Sequence, residues 1–314
     1  MKRILIDCDP GHDDMMAIML ACASPELELA GVSTVAGNQT GEKTFRNALR
    51  TLTLIGRTDI PVARGADKPL VRELTVAPEI HGVSGLDGAD LPEPRFQGVS
   101  MHAVDFLIRS VMESREPVTL VPTGPLTNVA LSLLKEPGLA SKLERIVLMG
   151  GAVHNSNITP AAEFNIFVDP EAAKIVFGCG APLVMVGLDV TNKALLSFED
   201  IDEMASWKGR VSRVVAPLLR FFAQANRDIF GFPGAPIHDA LAVAHLVRPE
   251  VIRTHHMNVE IEIHGEFTRG RTVADVYGIS RRKPNAEVAL EVDLPLFREL
   301  IFTAIRKLDS AATA

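Results

Sequence analysis

The chain has 314 residues, 47% of them hydrophobic and 23% charged, the balance of a folded globular protein and far from that of a disordered one. Its 32 basic and 39 acidic residues leave a formal charge of −7, so no basic field draws in nucleic-acid phosphates or an anionic membrane surface. Three scattered cysteines, Cys8, Cys22 and Cys179, supply neither a disulfide framework nor a CxxC zinc site and fit reduced thiols in the cytoplasm.

The N-terminus, Met1-Lys2-Arg3 and then a short apolar run broken by Asp7 and Asp9, lacks the length and cleavage site of a signal peptide. No later stretch reaches the about 18 apolar residues of a membrane span. Residues 4–6 read as a first strand, followed by a helix over about 13–22, a second strand ahead of Ala36 and a helix over 41–55. Residues 66–99, rich in Pro and Gly, read as a loop long enough to be functional. Helices over 101–113, 125–135 and 170–178 then alternate with strands at 118–121, 146–149 and 183–186. Pro125 is expected in the first turn of its helix, and Asp169 caps the helix that Pro170 opens. From 197 to 247 the pattern turns helical, with helices near 198–200 and over 211–229. Val259-Glu260-Ile261-Glu262-Ile263 alternates, so 257–292 reads as antiparallel strands, and 293–308 as a closing helix. The strands in the first two thirds are apolar without alternation, as in a parallel sheet covered on both faces. The fold class is therefore α/β: a single domain over 1–314 with a mostly parallel, open sheet flanked by helices, plus a helical segment and antiparallel strands toward the C-terminus.

Asp7-Cys8-Asp9-Pro10-Gly11-His12-Asp13-Asp14 places four carboxylates in eight residues, where a buried strand gives way to a helix. Like charges so close raise one another's pKa and oppose folding unless a cation neutralises them. The plainer reading makes Asp13 and Asp14 first-turn acids favoured by the helix dipole, with Asp7 or Asp9 capping the turn. An all-oxygen donor set would suit Ca²⁺ or Mg²⁺, and His12 and Cys8 do not fall at zinc spacing.

Other polar motifs lie past the carboxyl ends of strands, where an open α/β sheet places ligands. Asn38 follows the second strand and Thr123 the strand 118–121; their plainer readings are a turn residue and a helix-entry residue. Asn155-Ser156-Asn157 and Ala162-Glu163-Phe164-Asn165 offer donors and acceptors suited to sugar hydroxyls, or merely a loop leading into a helix. His238-Asp239 opens an apolar helical stretch in which Asp239 could be only a first-turn acid. The chain has no GxSxG, GxxxxGK[ST] or HExxH, which removes motif support for a nucleophile elbow, a P-loop or a zincin. Acids also stand where a dinucleotide fold would place its pyrophosphate.

Taken in order, Asp7-x-Asp9-Pro10-Gly11-x-Asp13-Asp14, Gly37-Asn38-Gln39-Thr40, Val121-Pro122-Thr123-Gly124-Pro125-Leu126-Thr127-Asn128, Leu148-Met149-Gly150-Gly151, Ala162-Glu163-Phe164-Asn165 and Ile237-His238-Asp239 resemble the nucleoside hydrolases, the inosine-uridine nucleoside N-ribohydrolases. The resemblance implies a bound Ca²⁺, hydrolysis of ribonucleosides (uridine, cytidine, inosine) to ribose and free base, and a homodimer or homotetramer. It assigns Asp9, Asp14, Asp239 and the Thr123 carbonyl to Ca²⁺, so that the Thr123 side chain would matter little. It assigns Asp13, Asn38, Asn157, Glu163 and Asn165 to the ribose, whose 2′- and 3′-hydroxyls also reach the metal. Asp9 would be the general base toward the attacking water, His238 the proton donor to the leaving group and His81 a base contact. Family members often carry Tyr with Gln or Arg in the base pocket; here that segment reads Asn226-Arg227-Asp228-Ile229-Phe230-Gly231, and the one tyrosine is Tyr277. Phe230 would then stack on the base while Asn226 and Arg227 donate to it, with a surface-facing turn as the plainer reading for Arg227. The wording otherwise is similar to the pyrimidine-preferring bacterial members.

Two rivals stand beside this reading. Asp-x-Asp phosphatases also begin with a strand ending in two acids and bind Mg²⁺, but they want Thr or Val where this chain has Gly11. A non-catalytic nucleoside- or ribose-binding protein would use the same polar pocket without turnover.

Overall fold

The alternation of strand and helix builds an eight-stranded sheet in the computed structural model, which describes residues 1–311. Strand β1 (Lys2–Cys8) lies inside it, with β2 (Leu27–Thr34) and then β3 (Val62–Arg64) on one side. On the other side follow β4 (Val118–Pro122), β5 (Leu143–Met149) and β6 (Leu183–Val186), all parallel. Because the chain moves outward to β2 and β3 and then returns across β1 to β4, the strand order switches direction between β1 and β4, opening a crevice at their carboxyl ends.

Alternate side chains of these strands feed two cores. Ile4, Ile6 and Cys8 of β1 join one core with helices His12–Ala23, His238–Val247 and Leu294–Ala311. Leu5 joins the other, beneath helices Ala103–Met112, Thr127–Lys135 and Pro170–Phe177. Burial on both faces is why these strands show no polar alternation in sequence.

The antiparallel strands expected toward the C-terminus are present, with one addition. Strands β7 (Leu195–Ser197) and β8 (Gly234–Pro236) form one small antiparallel pair, and β10 (Val259–Ile261) with β11 (Thr272–Ala274) another. Strand β9 (Ile252–Met257) pairs antiparallel with β12 (Ala286–Val292), but β12 also runs parallel to β6 and so extends the main sheet.

Local chemistry explains the helix ends. Asp169 accepts from the Ala172 N–H at 3.0 Å with Pro170 in the first turn, as expected. Pro125 falls outside its helix, which starts at Thr127. The connection before it presses Gly124 against the Asp9 carboxylate, where any Cβ would collide. The 66–99 segment is tied down: Leu70 N–H donates to Asp169 (2.8 Å), and Ala77 N–H to the Asn38 carbonyl (3.1 Å). Asp87 accepts from the Val83 and Ser84 amides at 2.9 and 3.0 Å, and Pro78–His81 forms a single helical turn within the segment.

Candidate active site

Extended backbone at Gly11 carries the chain from β1 into helix His12–Ala23, so Asp9 sits in the turn while Asp13 and Asp14 occupy the first helical turn. Asp14, rather than Asp7 or Asp9, does the capping: its Oδ2 accepts from the Gly11 N–H (3.0 Å) and its Oδ1 from the Asp9 N–H (3.3 Å). Asp7 is a strut beneath the turn, accepting from Ser33 Oγ (2.5 Å) and Asn128 Nδ2 (2.9 Å). Its burial pushes its pKa up to about 7.

Asp13, Asp14 and Asp239 bring carboxylate oxygens within 4.8 Å of one another, all buried, with Asp239 delivered by the first turn of helix His238–Val247. Asp14 thus serves the helix end as the plainer reading expects, and the convergence of the three buried carboxyls is additional to that role. Asp9 lies alongside, its Oδ2 accepting from the Asn38 N–H (2.6 Å). Its Oδ1, like Asp13 Oδ1, is buried with no hydrogen-bond partner. Burial, and after it the Asp14 charge, drives Asp9 well above the carboxylate range and Asp13 to about 8. Burial and then Asp13 drive Asp239 up as well. Such a cluster cannot ionise fully at neutral pH without a countercharge. Two orphaned carboxylate oxygens and an all-oxygen donor set fit a hard divalent cation.

Thr123 joins this network through both of its oxygens. Its carbonyl accepts from Asn165 Nδ2 (2.7 Å), and its hydroxyl donates to Asp14 Oδ1 (2.8 Å). The expectation that its side chain matters little is thereby corrected, because the hydroxyl holds Asp14 in place.

Above the acids opens a cavity of ≈ 250 Å³. Asp13, Asn38, Asn157, Glu163, Asn165 and Asp239 line its polar side. Several of them have structural duties as well. Glu163 caps helix Phe164–Val168, accepting from the amides of Asn165 (2.9 Å), Ile166 (3.1 Å) and Gly151 (2.8 Å), and its burial raises its pKa to about 7. Asn157 Oδ1 accepts from the Phe164 N–H (2.8 Å), and Asn38 Nδ2 donates to the Asp9 carbonyl and Asp14 Oδ2, both at 3.2 Å. The loop and turn readings and the cavity-lining reading therefore hold together.

The lining also includes an apolar and aromatic group, Ile80, Phe222, Ile229 and Phe230, together with His81, Asn226 and His238. Asn226 faces inward and spends one amide hydrogen on the Phe222 carbonyl (2.9 Å). Arg227 does not reach the cavity; its guanidinium lies 3.8 Å from the Phe198 ring centre, which removes it as a donor to a ligand. His238 Nδ1 is 2.8 Å from Thr191 Oγ1. Its burial pushes its pKa down to about 4, leaving the ring neutral at pH 7.

Among the lining residues that escaped the sequence reading are Phe222 and Asn192. Phe222 belongs to an apolar stripe with Leu218, Leu219 and Ala223 on helix Ser212–Phe230, and its spacing is that of any core helix. Asn192 caps the C-terminal end of the helical turn Leu188–Thr191 that follows β6, so no strand-end rule reaches it.

The chain matches the model of the inosine-uridine preferring nucleoside hydrolase family over residues 4–299. It is 54% identical over 299 residues to a pyrimidine-specific ribonucleoside hydrolase, RihA, of Escherichia coli, covering 95% of this chain and 96% of that protein; a RihA of Shigella boydii matches equally. Among solved structures, a purine-preferring ribonucleoside hydrolase from Gardnerella vaginalis superposes with a TM-score of 0.93 at 35% identity, covering 100% of both chains. An inosine-uridine preferring nucleoside hydrolase from Bacillus anthracis, at 21% identity with 98% of this chain and 100% of that one covered, shares the fold with a TM-score of 0.80.

Proposed function

The chain belongs to the inosine-uridine preferring nucleoside hydrolase family and is an N-glycosyl hydrolase of ribonucleosides; from that premise we propose a Ca²⁺-dependent enzyme that splits uridine, cytidine and inosine, with pyrimidines preferred. One observation carries the proposal: two members of a cluster of buried, mutually repelling carboxyls, Asp13 and Asp239, line a cavity that is also lined by aromatic and apolar side chains. This membership sets aside the phosphatase and the non-catalytic binder.

Asp9, Asp14, Asp239 and the Thr123 carbonyl would hold the cation. When bound, Ca²⁺ supplies the countercharge that keeps these acids ionised and ligation for the ribose 2′- and 3′-hydroxyls. Asp13, Asn38, Asn157, Glu163 and Asn165 bind and orient the ribose. Asp9, whose Oδ1 has no other partner, accepts the proton of the attacking water. Breaking the glycosidic bond builds oxocarbenium charge on the ribose, and the surrounding carboxylates stabilise it. Phe230 and its apolar neighbours stack on the base, Asn226 reads its edge and His81 contacts it. His238, neutral at pH 7, gives the leaving base a hydrogen bond from the Nε2–H left free when the Thr191 hydroxyl donates to Nδ1, stabilising the negative charge that develops there, while the proton the base finally takes comes from solvent.

A kcat/KM panel over uridine, cytidine, inosine, adenosine and deoxyuridine tests this. Uridine and cytidine should lead, inosine should follow, and deoxyuridine should fall on the order of 10²-fold or more below uridine, because polar groups built for the 2′-hydroxyl go unpaired. Equal rates on uridine and deoxyuridine would overturn the role of the diol, and exclusive purine turnover would overturn the base preference. Pyrimidine preference draws support from the 54% identical relatives.

We also read residues 1–314 as one domain, assembled as a homodimer or homotetramer in the cytoplasm. Light scattering at micromolar concentration should give a multiple of 34.0 kDa, and a single-chain species alone would remove the assembly.

A further inference from the structure

Asn38, Asn157, Asn165, Asn192 and Asn226 all line the cavity, and four of these five amides are held by the protein itself. Asn38 Nδ2 donates to the Asp9 carbonyl and to Asp14, Asn165 Nδ2 to the Thr123 and Met149 carbonyls, and Asn226 Nδ2 to the Phe222 carbonyl, while Asn157 Oδ1 accepts from the Phe164 N–H. An amide nitrogen only donates and its oxygen only accepts, so each of these bonds fixes which way round the group stands. Asn192 is the exception. Its side chain makes no hydrogen bond within the described protein, and neither of its polar atoms is among the buried unpaired ones, so both stay accessible to solvent.

The main chain at this position, by contrast, is fixed. Asn192 N–H donates to the Leu188 carbonyl (3.2 Å), and the Ile237 N–H donates to the Ala194 carbonyl (3.0 Å), which ties the stretch to the start of helix His238–Val247. One residue earlier, the Thr191 hydroxyl lies 2.8 Å from His238 Nδ1. Asn192 thus neighbours in the chain the residue that orients His238, the group given above to the leaving base. A firm root carries a free amide, and a half-turn about its terminal torsion exchanges donor for acceptor without moving anything else.

Uracil and cytosine present opposite groups at carbon 4 of the ring, an oxygen that accepts in one and an amino group that donates in the other. A side chain locked one way round would reject one of the two bases, whereas one that turns over takes both. We infer that Asn192 is a specificity-determining residue that meets the carbon-4 group of the pyrimidine, presenting Nδ2 to uracil and Oδ1 to cytosine, so that one cavity serves both nucleosides. This assignment rests on the pyrimidine nucleoside reading of the cavity.

The test is kcat/KM for uridine and cytidine in the native protein, Asn192→Asp and Asn192→Leu. Asn192→Asp offers acceptors only, so the ratio of uridine to cytidine should fall about tenfold, the factor for one mismatched hydrogen bond. Asn192→Leu offers neither group and should lower both substrates alike, leaving the ratio at its native value. The 2-pyrimidinone ribonucleoside, which carries no group at carbon 4, completes a double-mutant cycle: its deficit relative to uridine in the native enzyme should shrink about tenfold in Asn192→Leu. Both variants should melt within about 2 °C of the native protein, since the side chain they replace has no partner in the fold. An unchanged ratio in Asn192→Asp overturns the inference, as does a 2-pyrimidinone deficit equal in the native enzyme and Asn192→Leu. A native protein that turns over neither uridine nor cytidine overturns the proposed function, and this assignment falls with it.

Discussion

Asp9→Ala is expected to lower kcat by on the order of 10²–10⁴-fold, the usual contribution of a general base, and further where a cation ligand is lost, while the fold survives. The asymmetry follows from the surroundings of the side chain. Asp9 is completely buried, one of its oxygens has no partner, and its neutral form is favoured by burial and by Asp14. Removing a carboxyl that the fold must hold at a cost does not destabilise the metal-free protein, and its melting temperature should stay level or rise. The Asn38 N–H, which donates to Asp9 at 2.6 Å, is the one group left unsatisfied. Turnover, melting temperature and calcium per chain should be measured on the same preparation. Near-normal kcat with full calcium content would assign the base elsewhere.

The second large effect is the dependence of stability on pH after chelation. Asp7 at about 7 and Asp13 at about 8 lie far above the unfolded carboxylate value of 3.8, so the folded metal-free protein binds more protons than the unfolded chain between those limits. Stability contributed by such groups is fully present below the unfolded pKa and is lost as pH rises through the folded one. The metal-free protein should therefore become more stable as pH falls from about 8 toward 5. The calcium-loaded protein should show a much smaller gain, that of Asp7 alone, because the acids around the cation stay ionised and protons compete with it. At pH 8 the two forms should differ by on the order of 10 °C in melting temperature, a few kcal/mol at about 2–4 °C per kcal/mol, and the gap should close toward pH 5. Parallel curves for the two forms, with equal activity, would mean that the cluster holds no cation.

Legibility followed the type of signal. Strands such as 4–6 and 146–149 were readable because burial on both faces leaves an unbroken apolar run, and the Asp-rich turn because four like charges need an explanation wherever they occur. Strand β12 was harder: Ala286–Val292 carries an edge-like mixture of charge and apolar residues, yet it pairs on both sides, a tertiary choice that local pattern does not encode. Pro125 misled because proline in a first turn is common, whereas here the close approach of Gly124 to Asp9 decides where the helix begins. At the site, polar residues after strands announced themselves, but a Phe at core spacing did not. Arg227 stood next to a cavity residue in sequence, and one helical step of 100° was enough to turn it onto Phe198.

The position of β12 has a consequence for the order in which the molecule is made. Every acid of the site, from Asp9 to Asp239, has left the ribosome before residues 286–292, which fill the gap between β6 and β9. Helix Leu294–Ala311, which packs against helix His12–Ala23, comes later still. A nascent chain ending near residue 285 therefore carries an open strand edge and an uncovered apolar helix face, both adhesive to other chains. The first helix, which carries Asp13 and Asp14, is covered by helix Leu294–Ala311 only after every acid of the site has been made. Residues 286–311 thus close both a strand gap and an apolar helix face, and their loss would expose more of the interior than their length suggests.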